Sequence, residues 1–431
     1  MSYHQLVENQ RAYWRSGALN SLEERKKILT TYKNLIQTHA KEITDAIYTD
    51  LHRISTEPDH LVREIDSAIA NLESWAAPIK VSTAPFTGTD DQAFVYREGY
   101  GVVLVIAPWN FPLICSGPSV SAFAAGNTVV LKLSEVAPTF SSVFARLVNQ
   151  TFDPRVFVAV EGAVPEVTSL LEEKFDYIMY TGNPNVGRII MSAASKNLTP
   201  VTLELGGKNP VLVEPDADLD DAAKKIVFAK TLNCGQICIS ADYVLTTAEI
   251  RPKLIAAIKK VYDSMLPLKQ NQEFARIVHE RHFDRLSNIL SNTKGEIFSM
   301  SDESADRTEK FLPPAVIAIE QDDVFMNEEI FGPYLPIIVS PSFEESVKFV
   351  VEREKPLGAY IFTKDQEKAK KFVALTSSGG VTINDVMAHG FLHCAPFGGV
   401  GNSGMGRLNL KYGFDTFTHE KAVLVRNGLS I

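Results

Sequence analysis

The residues best suited to chemistry are two cysteines in a polar, glycine-containing segment. Cys234 and Cys238 are separated by Gly-Gln-Ile and follow a segment with helical periodicity. A structural cysteine is usually embedded in apolar sequence, so a thiol here is a candidate nucleophile. The two thiols are also a candidate pair of metal ligands, with His389, His393 and Cys394 far downstream. That separation is unlike the spacing of zinc sites, so we expect no metal.

A carboxylate and an amide lie at the ends of two other apolar runs. Glu204 ends a very apolar segment and precedes two glycines. A carboxylate there costs free energy unless it has a function or a buried partner, and both interpretations are open. Asn110 lies between two prolines in Ala-Pro-Trp-Asn-Phe-Pro, which fix the backbone around it. A rigid amide donor could stabilise an oxyanion, while the alternative is a turn asparagine bonded to nearby backbone.

A glycine-containing loop is a candidate phosphate site. Gly182, Asn183 and Gly187 follow an apolar run and open a helical segment, where free backbone N–H groups bind phosphates. The loop is not a P-loop, because Arg188 and the residue after it stand where Lys and Ser/Thr are required. The alternative is simple N-capping by Asn183. A literal GxGxxG at 399–404 has too few residues after it for a βαβ unit, so we exclude it as a dinucleotide motif.

Composition narrows the possible partners. The 431 residues carry 43 basic and 52 acidic side chains, a formal net charge of −9. Nucleic-acid-binding proteins are normally basic, so we expect no nucleic-acid partner. Four cysteines cannot form a disulfide scaffold and indicate a reducing compartment, so we expect a cytoplasmic protein. The uncharged stretch 99–131 could span a membrane by length, but its prolines and glycines favour a buried part of an α/β core. His279 and His282 lie in a charged helical segment and are interpreted as solvent-facing.

Short apolar strands alternate with helical segments, and this alternation predicts parallel βαβ units that position the candidate residues. The pattern is helical before residue 77, and residues 77–92 form a predicted connection. The predicted strands are 102–106, 128–131, 156–160, 177–180 and 201–205, and then 210–213, 243–246, 315–319, 335–339, 359–363 and 381–384. We therefore predict an α/β protein of two tandem doubly wound Rossmann-like domains, with a boundary near 206–207 and a small unit over 396–431.

Five segments, in their order and spacing, resemble the aldehyde dehydrogenase superfamily. They are 105–112 (VIAPWNFP), 203–208 (LELGGK), 234–238 (CGQIC), 328–333 (EEIFGP) and 396–399 (PFGG). Together they are far more specific than any one alone, and the match extends over nearly the whole chain from residue 20. The short length, the context of Cys234 and the ending Gly-Phe-Asp-Thr-Phe resemble the class 3 branch, which acts on fatty and aromatic aldehydes.

The resemblance implies a catalytic set and a cofactor set. Cys238 would be the nucleophile, Glu204 the general base and Asn110 the oxyanion donor, with Cys234 unused for attack. The implied cofactor is NAD or NADP, and the residues that match its binding positions are Trp109, Lys132, Glu135, Gly182, Asn183, Gly187, Leu205, Glu329 and Phe331. Lys132 and Glu135 would hold the adenosine ribose. Glu135 would favour a free 2′-hydroxyl, as in NAD, which Lys132 could offset.

The resemblance also implies a domain division and a homodimer. Residues 1–81 and 100–205 would form the dinucleotide-binding domain and 206–395 the catalytic domain, while 82–99 and 396–431 would form a small β bridging segment. The expected reaction is NAD(P)-dependent oxidation of an aldehyde to the carboxylic acid through a cysteine thiohemiacetal and a thioester. The alternatives are a CoA-acylating aldehyde dehydrogenase, a class that generally lacks the base, and a catalytically inactive binding protein of this fold.

Three residues, in two segments, depart from the class 3 pattern. Phe111 stands where that pattern commonly has Tyr, which concerns the substrate pocket. Asn183 and Pro184 stand where it has Ser-Thr, which concerns the pyrophosphate and the choice of cofactor. A proline in the first helical turn is tolerated, because the N–H that it lacks would have no helical partner.

Overall fold

The computed structural model describes residues 2–83, 90–272 and 274–426. Fourteen helices lie within these residues: α1 (Tyr3–Arg15), α2 (Leu22–Thr38), α3 (Ala40–Leu51), α4 (Glu57–Ala76), α5 (Pro118–Ala124), α6 (Pro138–Thr151), α7 (Val164–Glu172), α8 (Pro184–Ser195), α9 (Leu219–Thr231), α10 (Ile250–Asp263), α11 (Glu280–Asn292), α12 (Phe343–Val351), α13 (Gln366–Leu375) and α14 (Leu410–Thr416). Sixteen strands lie within the same described ranges: β1 (Ile79–Val81), β2 (Gln92–Gly99), β3 (Val102–Ile106), β4 (Thr128–Lys132), β5 (Phe157–Val160), β6 (Tyr177–Thr181), β7 (Val201–Glu204), β8 (Pro210–Val213), β9 (Tyr243–Thr246), β10 (Glu296–Ser299), β11 (Ala315–Ile319), β12 (Tyr334–Val339), β13 (Gly358–Phe362), β14 (Gly380–Ile383), β15 (Gly404–Met405) and β16 (Thr418–Val425).

The first sheet has six strands in the order β15-β7-β6-β3-β4-β5, and all neighbours are parallel except β15 with β7. Every residue of β3 and β4 is buried, as expected for strands covered on both faces. Along β3, Val103 and Val105 pack into the core formed with α2–α6, whereas Val102 and Leu104 pack with α1, α7 and α8 on the other face. The prediction that the uncharged stretch 99–131 is a buried part of an α/β core is therefore confirmed.

The second sheet has seven strands in the order β10-β11-β12-β9-β8-β13-β14. Only β10 runs antiparallel to its neighbour, β11, and the other pairs are parallel. The buried apolar side chains of these strands form one continuous core with α9–α13. These two parallel-dominated sheets confirm the predicted α/β class of two doubly wound Rossmann-like units.

A third, antiparallel sheet contains β1, β2 and β16, with β2 in the centre. Two parts of the predicted bridging segment, 84–89 and 427–431, lie outside the described residues. Within 396–426, β15 belongs to the first sheet, α14 packs against α4 and α5, and β16 joins the third sheet. The division of the chain into domains stays a prediction.

The helices before residue 77 position one side of the site. Helix α4 packs against α2 and α5, and its first residue, Glu57, accepts hydrogen bonds from the backbone N–H groups of Leu113 and Ile114. The start of α4 therefore lies against the loop that follows β3 and carries Asn110. Across the described ranges, every helix is too short or too polar to cross a membrane.

Candidate active site

The nucleophile candidate lies on a strained loop after α9. Asn233 and Cys234 have left-handed backbone angles (φ 50° and 54°), which residues other than glycine adopt uncommonly. The backbone carbonyl of Cys238 accepts a hydrogen bond from the side chain of Asn209 at 2.9 Å, and the Tyr360 hydroxyl donates to the next carbonyl at 2.5 Å. Cys238 itself is partly buried, whereas Cys234 is fully buried. Only Cys238 of this pair is therefore accessible to a substrate.

The electrostatics around Cys238 keep its thiol protonated in the free protein. Burial raises the pKa of Cys238 to about 12, and the charges of Glu329 and Glu204 add to that rise. Hydrogen bonds from the backbone N–H groups of Cys238 and Ile239 act in the opposite direction. A positive charge brought close to the sulfur would favour the thiolate.

Glu204 is a buried carboxyl without a hydrogen-bond partner. It ends β7, is 3% exposed, and neither of its carboxyl oxygens has a partner among the described residues. Burial raises the pKa of Glu204 well above its ordinary value. A Cβ at Gly398 would lie 3.2 Å from the carboxyl, so this glycine leaves the room that the side chain occupies. An unpaired buried carboxyl close to a candidate nucleophile indicates function rather than structure.

Asn110 meets the nucleophile loop directly. Its side-chain N–H donates to the backbone carbonyl of Gln236 at 3.1 Å, and its own backbone carbonyl accepts from Arg53 and Asn233. Phe111 lies under the Arg53 guanidinium, 4.6 Å from the ring centroid. The loop after β3 and the loop after α9 therefore form one surface. Sequence reasoning missed Arg53 because it looks like any charged residue in a loop between helices.

The loop between β6 and α8 has the features of a phosphate site. The side chain of Asn183 caps α8 by accepting from the backbone N–H of Val186 at 3.0 Å, which fixes the helix start. A Cβ at Gly182 would overlap the Tyr180 hydroxyl, and a Cβ at Gly187 would lie 3.1 Å from the Leu205 side chain. Capping and phosphate binding are compatible, because N–H groups at the helix start stay available to an anion.

Lys132 and Glu135 lie at the end of β4, on the same edge of the first sheet. The Lys132 ammonium donates to the carbonyls of Leu133 and Gly162 and is 3.9 Å from the Glu135 carboxylate. Lys132 is buried, which lowers its pKa, while the Glu135 side chain is half exposed. The pair therefore presents one fixed cation and one accessible carboxylate.

Glu329, Phe331 and Trp109 come together on the other side of the nucleophile. The Glu329 carboxyl packs against Gly206, where a Cβ would overlap it, and accepts a hydrogen bond from Gly207. Burial and Asp242 raise the pKa of Glu329 to about 8. The rings of Phe331 and Trp109 meet edge to face at 5.5 Å. Phe331 and Trp109 are therefore in contact, and the charge of Glu329 acts on the Cys238 sulfur.

The structure corrects the interpretation of His282, and none of its described residues form a metal site. The ring of His282 packs on Trp109, with centroids 5.6 Å apart, and is only partly exposed, and burial lowers its pKa to about 4. His279 precedes the first residue of α11 and is exposed, as predicted. No group of three metal-ligating side chains occurs in the described ranges. His389 instead bonds Thr382.

The chain belongs to the aldehyde dehydrogenase family, whose profile matches residues 3–423. This family membership confirms the resemblance and the reaction class that were expected from the sequence. The protein is an NAD(P)-dependent aldehyde dehydrogenase.

Several similar relatives are named as members of aldehyde dehydrogenase family 3. The chain is 39% identical to "Aldehyde dehydrogenase, dimeric NADP-preferring" of Canis lupus familiaris, over 98% of this chain and 94% of that one. It is 41% identical to "Aldehyde dehydrogenase family 3 member H1" of Arabidopsis thaliana, over 98% of this chain and 89% of the relative. The predicted class 3 resemblance is therefore confirmed.

Solved structures agree with the fold. A substrate-bound Staphylococcus aureus AldH superposes with a TM-score of 0.94 at 35% identity, covering 98% of this chain and 94% of that structure. An NAD-dependent aldehyde dehydrogenase from Sinorhizobium meliloti gives a TM-score of 0.89 at 27% identity, covering 100% and 88%.

Proposed function

We propose that the protein oxidises a medium- or long-chain aliphatic aldehyde, or an aromatic one, through a covalent intermediate on Cys238. The observation that carries this proposal is the convergence of three groups on one partly buried thiol. Asn110 bonds the loop that holds Cys238, and the charges of Glu204 and Glu329 both reach its sulfur. A nucleophile, an amide donor and an unpaired carboxyl are the set that acyl transfer through a thioester requires.

In the first half-reaction, the Cys238 thiolate forms a C–S bond to the aldehyde carbon, and the carbonyl electron pair moves to oxygen. The second side-chain N–H of Asn110 and the backbone N–H of Cys238 would donate to that oxyanion. Gln236 accepts the first Asn110 N–H and so fixes the amide plane. The oxyanion then re-forms the carbonyl while the C–H bond breaks with its electron pair, which leaves a thioester on Cys238. When bound, the nicotinamide ring of NAD(P) would supply the acceptor for that hydride.

The second half-reaction is hydrolysis of the thioester. Glu204 removes a proton from water, the water oxygen attacks the acyl carbon, and the C–S bond breaks to release the carboxylic acid and the thiolate. The raised pKa of Glu204 matches this role, because a base with a higher pKa accepts a proton more readily.

The cofactor residues are part of the same proposal. The backbone N–H groups at the start of α8 would bind the pyrophosphate, beside Gly182 and capped by Asn183. Lys132 and Glu135 would hold the adenosine ribose, and Glu329 the nicotinamide ribose. Gly187, Leu205, Trp109 and Phe331 would pack around the dinucleotide, with the two aromatic rings beside the nicotinamide.

A CoA-acylating reaction and an inactive binding protein are the alternatives. Glu204 argues against the first, because a thioester passed to CoA needs no base for water. The access of Cys238 argues against the second. Analysis of the products formed with and without CoA distinguishes a CoA-acylating enzyme from one that hydrolyses the thioester. Labelling of the Cys238 thiol with and without aldehyde distinguishes an inactive binding protein from an enzyme that reacts with aldehyde at this thiol.

We also propose a cytoplasmic homodimer. A relative from dog is named dimeric, and the strand β14 at the edge of the second sheet leaves one row of backbone groups for a partner. The four cysteines are unpaired, which fits a reducing compartment. Light scattering should give about twice the 47.6 kDa chain mass, and a monomer would contradict this part.

The test of the proposed function is NAD(P)H formation with a panel of aliphatic and aromatic aldehydes. Cys238→Ala should abolish turnover. Cys394→Ser is the matched control, because Cys394 is exposed and has no proposed role, and it should keep wild-type turnover. Absence of turnover on every aldehyde, or an active Cys238→Ala variant, would overturn the proposal.

A further inference from the structure

A cluster of five buried polar side chains joins the two loops of the site. Its members are Arg53, Glu57, Asn110, Asn233 and Gln236, each at most 6% exposed. Buried charges and amides are costly unless each finds a partner, so a cluster of this size needs a reason. The hydrogen bonds within it show what it holds.

Arg53 contacts three different parts of the protein. Its Nη2 donates to the Glu57 carboxylate at 2.5 Å and to the backbone carbonyl of Asn110 at 3.1 Å. Its Nε donates to the side-chain oxygen of Asn233 at 2.9 Å. One guanidinium therefore ties the start of α4, the loop after β3 and the loop after α9 together.

The backbone around Asn110 is held from both directions. Its carbonyl accepts from Arg53 and, at 2.9 Å, from the side chain of Asn233. Glu57 accepts the N–H groups of Leu113 and Ile114 at 2.9 and 3.1 Å. With its backbone fixed at both ends, the Asn110 side chain can aim one N–H at Gln236 and leave the other free.

Asn233 links the same cluster to the nucleophile. It donates to the carbonyls of both Asn110 and Gln236, from a left-handed backbone conformation. Gln236 in turn donates to the carbonyls of Asn233 and Arg276 and accepts from the N–H of Val278. The loop leading to Cys238 is thus fixed relative to Asn110 and not only to its own sheet.

We propose that Arg53 and Asn233 are positioning residues that set the distance and direction of the Asn110 amide relative to Cys238. The inference rests on the proposed function, in which Asn110 donates to the oxyanion. Arg53 is 4% exposed, and its hydrogen bonds go to Glu57, Asn110 and Asn233, so it would act on the oxyanion site through these residues. The Asn110 amide is therefore positioned by Arg53 and Glu57, which lie before and at the start of α4 and belong to neither catalytic loop.

Lysine cannot replace arginine here. A guanidinium offers several N–H groups in a planar fork, whereas an ammonium is a single point of charge on a flexible stem. Arg53→Lys keeps a cation beside Glu57, which protects folding, but it cannot reach Glu57, Asn110 and Asn233 together. Displacing one oxyanion donor costs about 10²–10³-fold in rate.

The experiment compares two reactions of the same thiol in the full-length protein. The first is the rate of the initial NADH burst with aldehyde, which needs the oxyanion site. The second is alkylation of Cys238 by iodoacetamide, followed by peptide mass spectrometry, which does not need it. We expect Arg53→Lys to slow the burst about 10²-fold. Alkylation of Cys238 and the Kd of NAD should stay within about threefold of wild type, because neither uses the oxyanion donor.

The control is Arg11→Lys. Arg11 is also buried and binds Asp176 at 2.6 Å, at the first residue of β3 rather than at the loop that follows this strand, so its variant should keep the wild-type burst. Asn233→Asp is the second test variant, because it removes both donations to the loop carbonyls and keeps the acceptor for Arg53. It should show the same selective loss of the burst. If Arg53→Lys does not fold, the result for Asn233→Asp alone tests the proposal.

The outcomes are distinct. A wild-type burst in the variants, or a burst and an alkylation rate that fall together, would overturn the positioning role. Failure of the proposed function appears elsewhere, as a wild-type protein that forms no NAD(P)H with any aldehyde or as an active Cys238→Ala variant.

Discussion

Replacement of Glu204 by glutamine should separate the two halves of the reaction. The carboxyl is 3% exposed and makes no hydrogen bond to described residues, so glutamine can occupy nearly the same space. The amide cannot take a proton from water. Attack by Cys238 and hydride loss need no base at this position, whereas thioester hydrolysis does. We expect Glu204→Gln to lower the steady-state rate about 10²–10⁴-fold and to leave the first turnover close to wild type.

The pH dependence follows from the same carboxyl. Burial raises the pKa of Glu204 well above its ordinary value, so this carboxyl becomes ionised at a higher pH than an exposed glutamate. The wild-type steady-state rate should therefore rise with pH, by up to about tenfold per unit below that pKa. In Glu204→Gln the group that produces this rise is gone, and the rate should be low and nearly flat with pH.

Stopped-flow absorbance of NADH measures both halves at once. The variant should give a burst of about one NADH per Cys238 followed by a slow phase. Glu214→Gln is the matched control. Glu214 is also a buried glutamate, but it pairs with Lys368 and has no proposed role in the reaction, so its variant should keep wild-type turnover. Wild-type steady-state turnover in Glu204→Gln, or loss of its burst, would refute the assignment of Glu204 as the base.

Three further predictions follow from the site. The Tm of Glu204→Gln should increase relative to that of wild type as pH rises. Folding raises the pKa of Glu204, so the folded state of wild type is most stable, relative to the unfolded state, when this carboxyl is protonated in both. That stability is lost as pH rises from the pKa in the unfolded state through the pKa in the folded state, and glutamine has no such loss. A constant difference in Tm across pH would contradict this. Asn110→Ala should slow the NADH burst about 10²–10³-fold with little change in Cys238 alkylation, measured by stopped flow and peptide mass spectrometry. Glu329→Gln should speed iodoacetamide alkylation of Cys238 at about pH 9, where the Glu329 carboxylate raises the pKa of the thiol, and not at about pH 6, where Glu329 with a pKa of about 8 is neutral. Equal rates of wild type and variant at both pH values would count against it.

The strands could be predicted because their apolar runs are short, β-branched and bounded by loops. The predicted 102–106 and 210–213 coincide with β3 and β8, and the predicted 201–205 exceeds β7 by one residue. The last part of the chain was harder. β15 is two residues long, and its pairing with β7 comes from a glycine-rich segment that carries no periodic pattern.

Site residues could be predicted where burying their side chain costs free energy unless it has a function. They could not be predicted where the side chain acts by positioning another residue. Glu204 stands out as a charge at the end of an apolar strand. Arg53 and Asn233 do not, because a charged loop residue and an asparagine beside a cysteine are common on protein surfaces. Their burial arises from tertiary packing of α4 against the loops. His282 was assigned to solvent because its neighbours are charged, but its ring packs on Trp109, which is distant in sequence.

The most direct test of the account is to trap the acyl-enzyme. Glu204→Gln is mixed with NAD and a simple aldehyde, quenched with acid after the burst, and digested for peptide mass spectrometry. The account predicts an acyl group, with the mass of the aldehyde less two hydrogens, on the peptide at Cys238 and on none of the other cysteines. NADH formation without an adduct at Cys238, or with the adduct on Cys234 or Cys115, would contradict it.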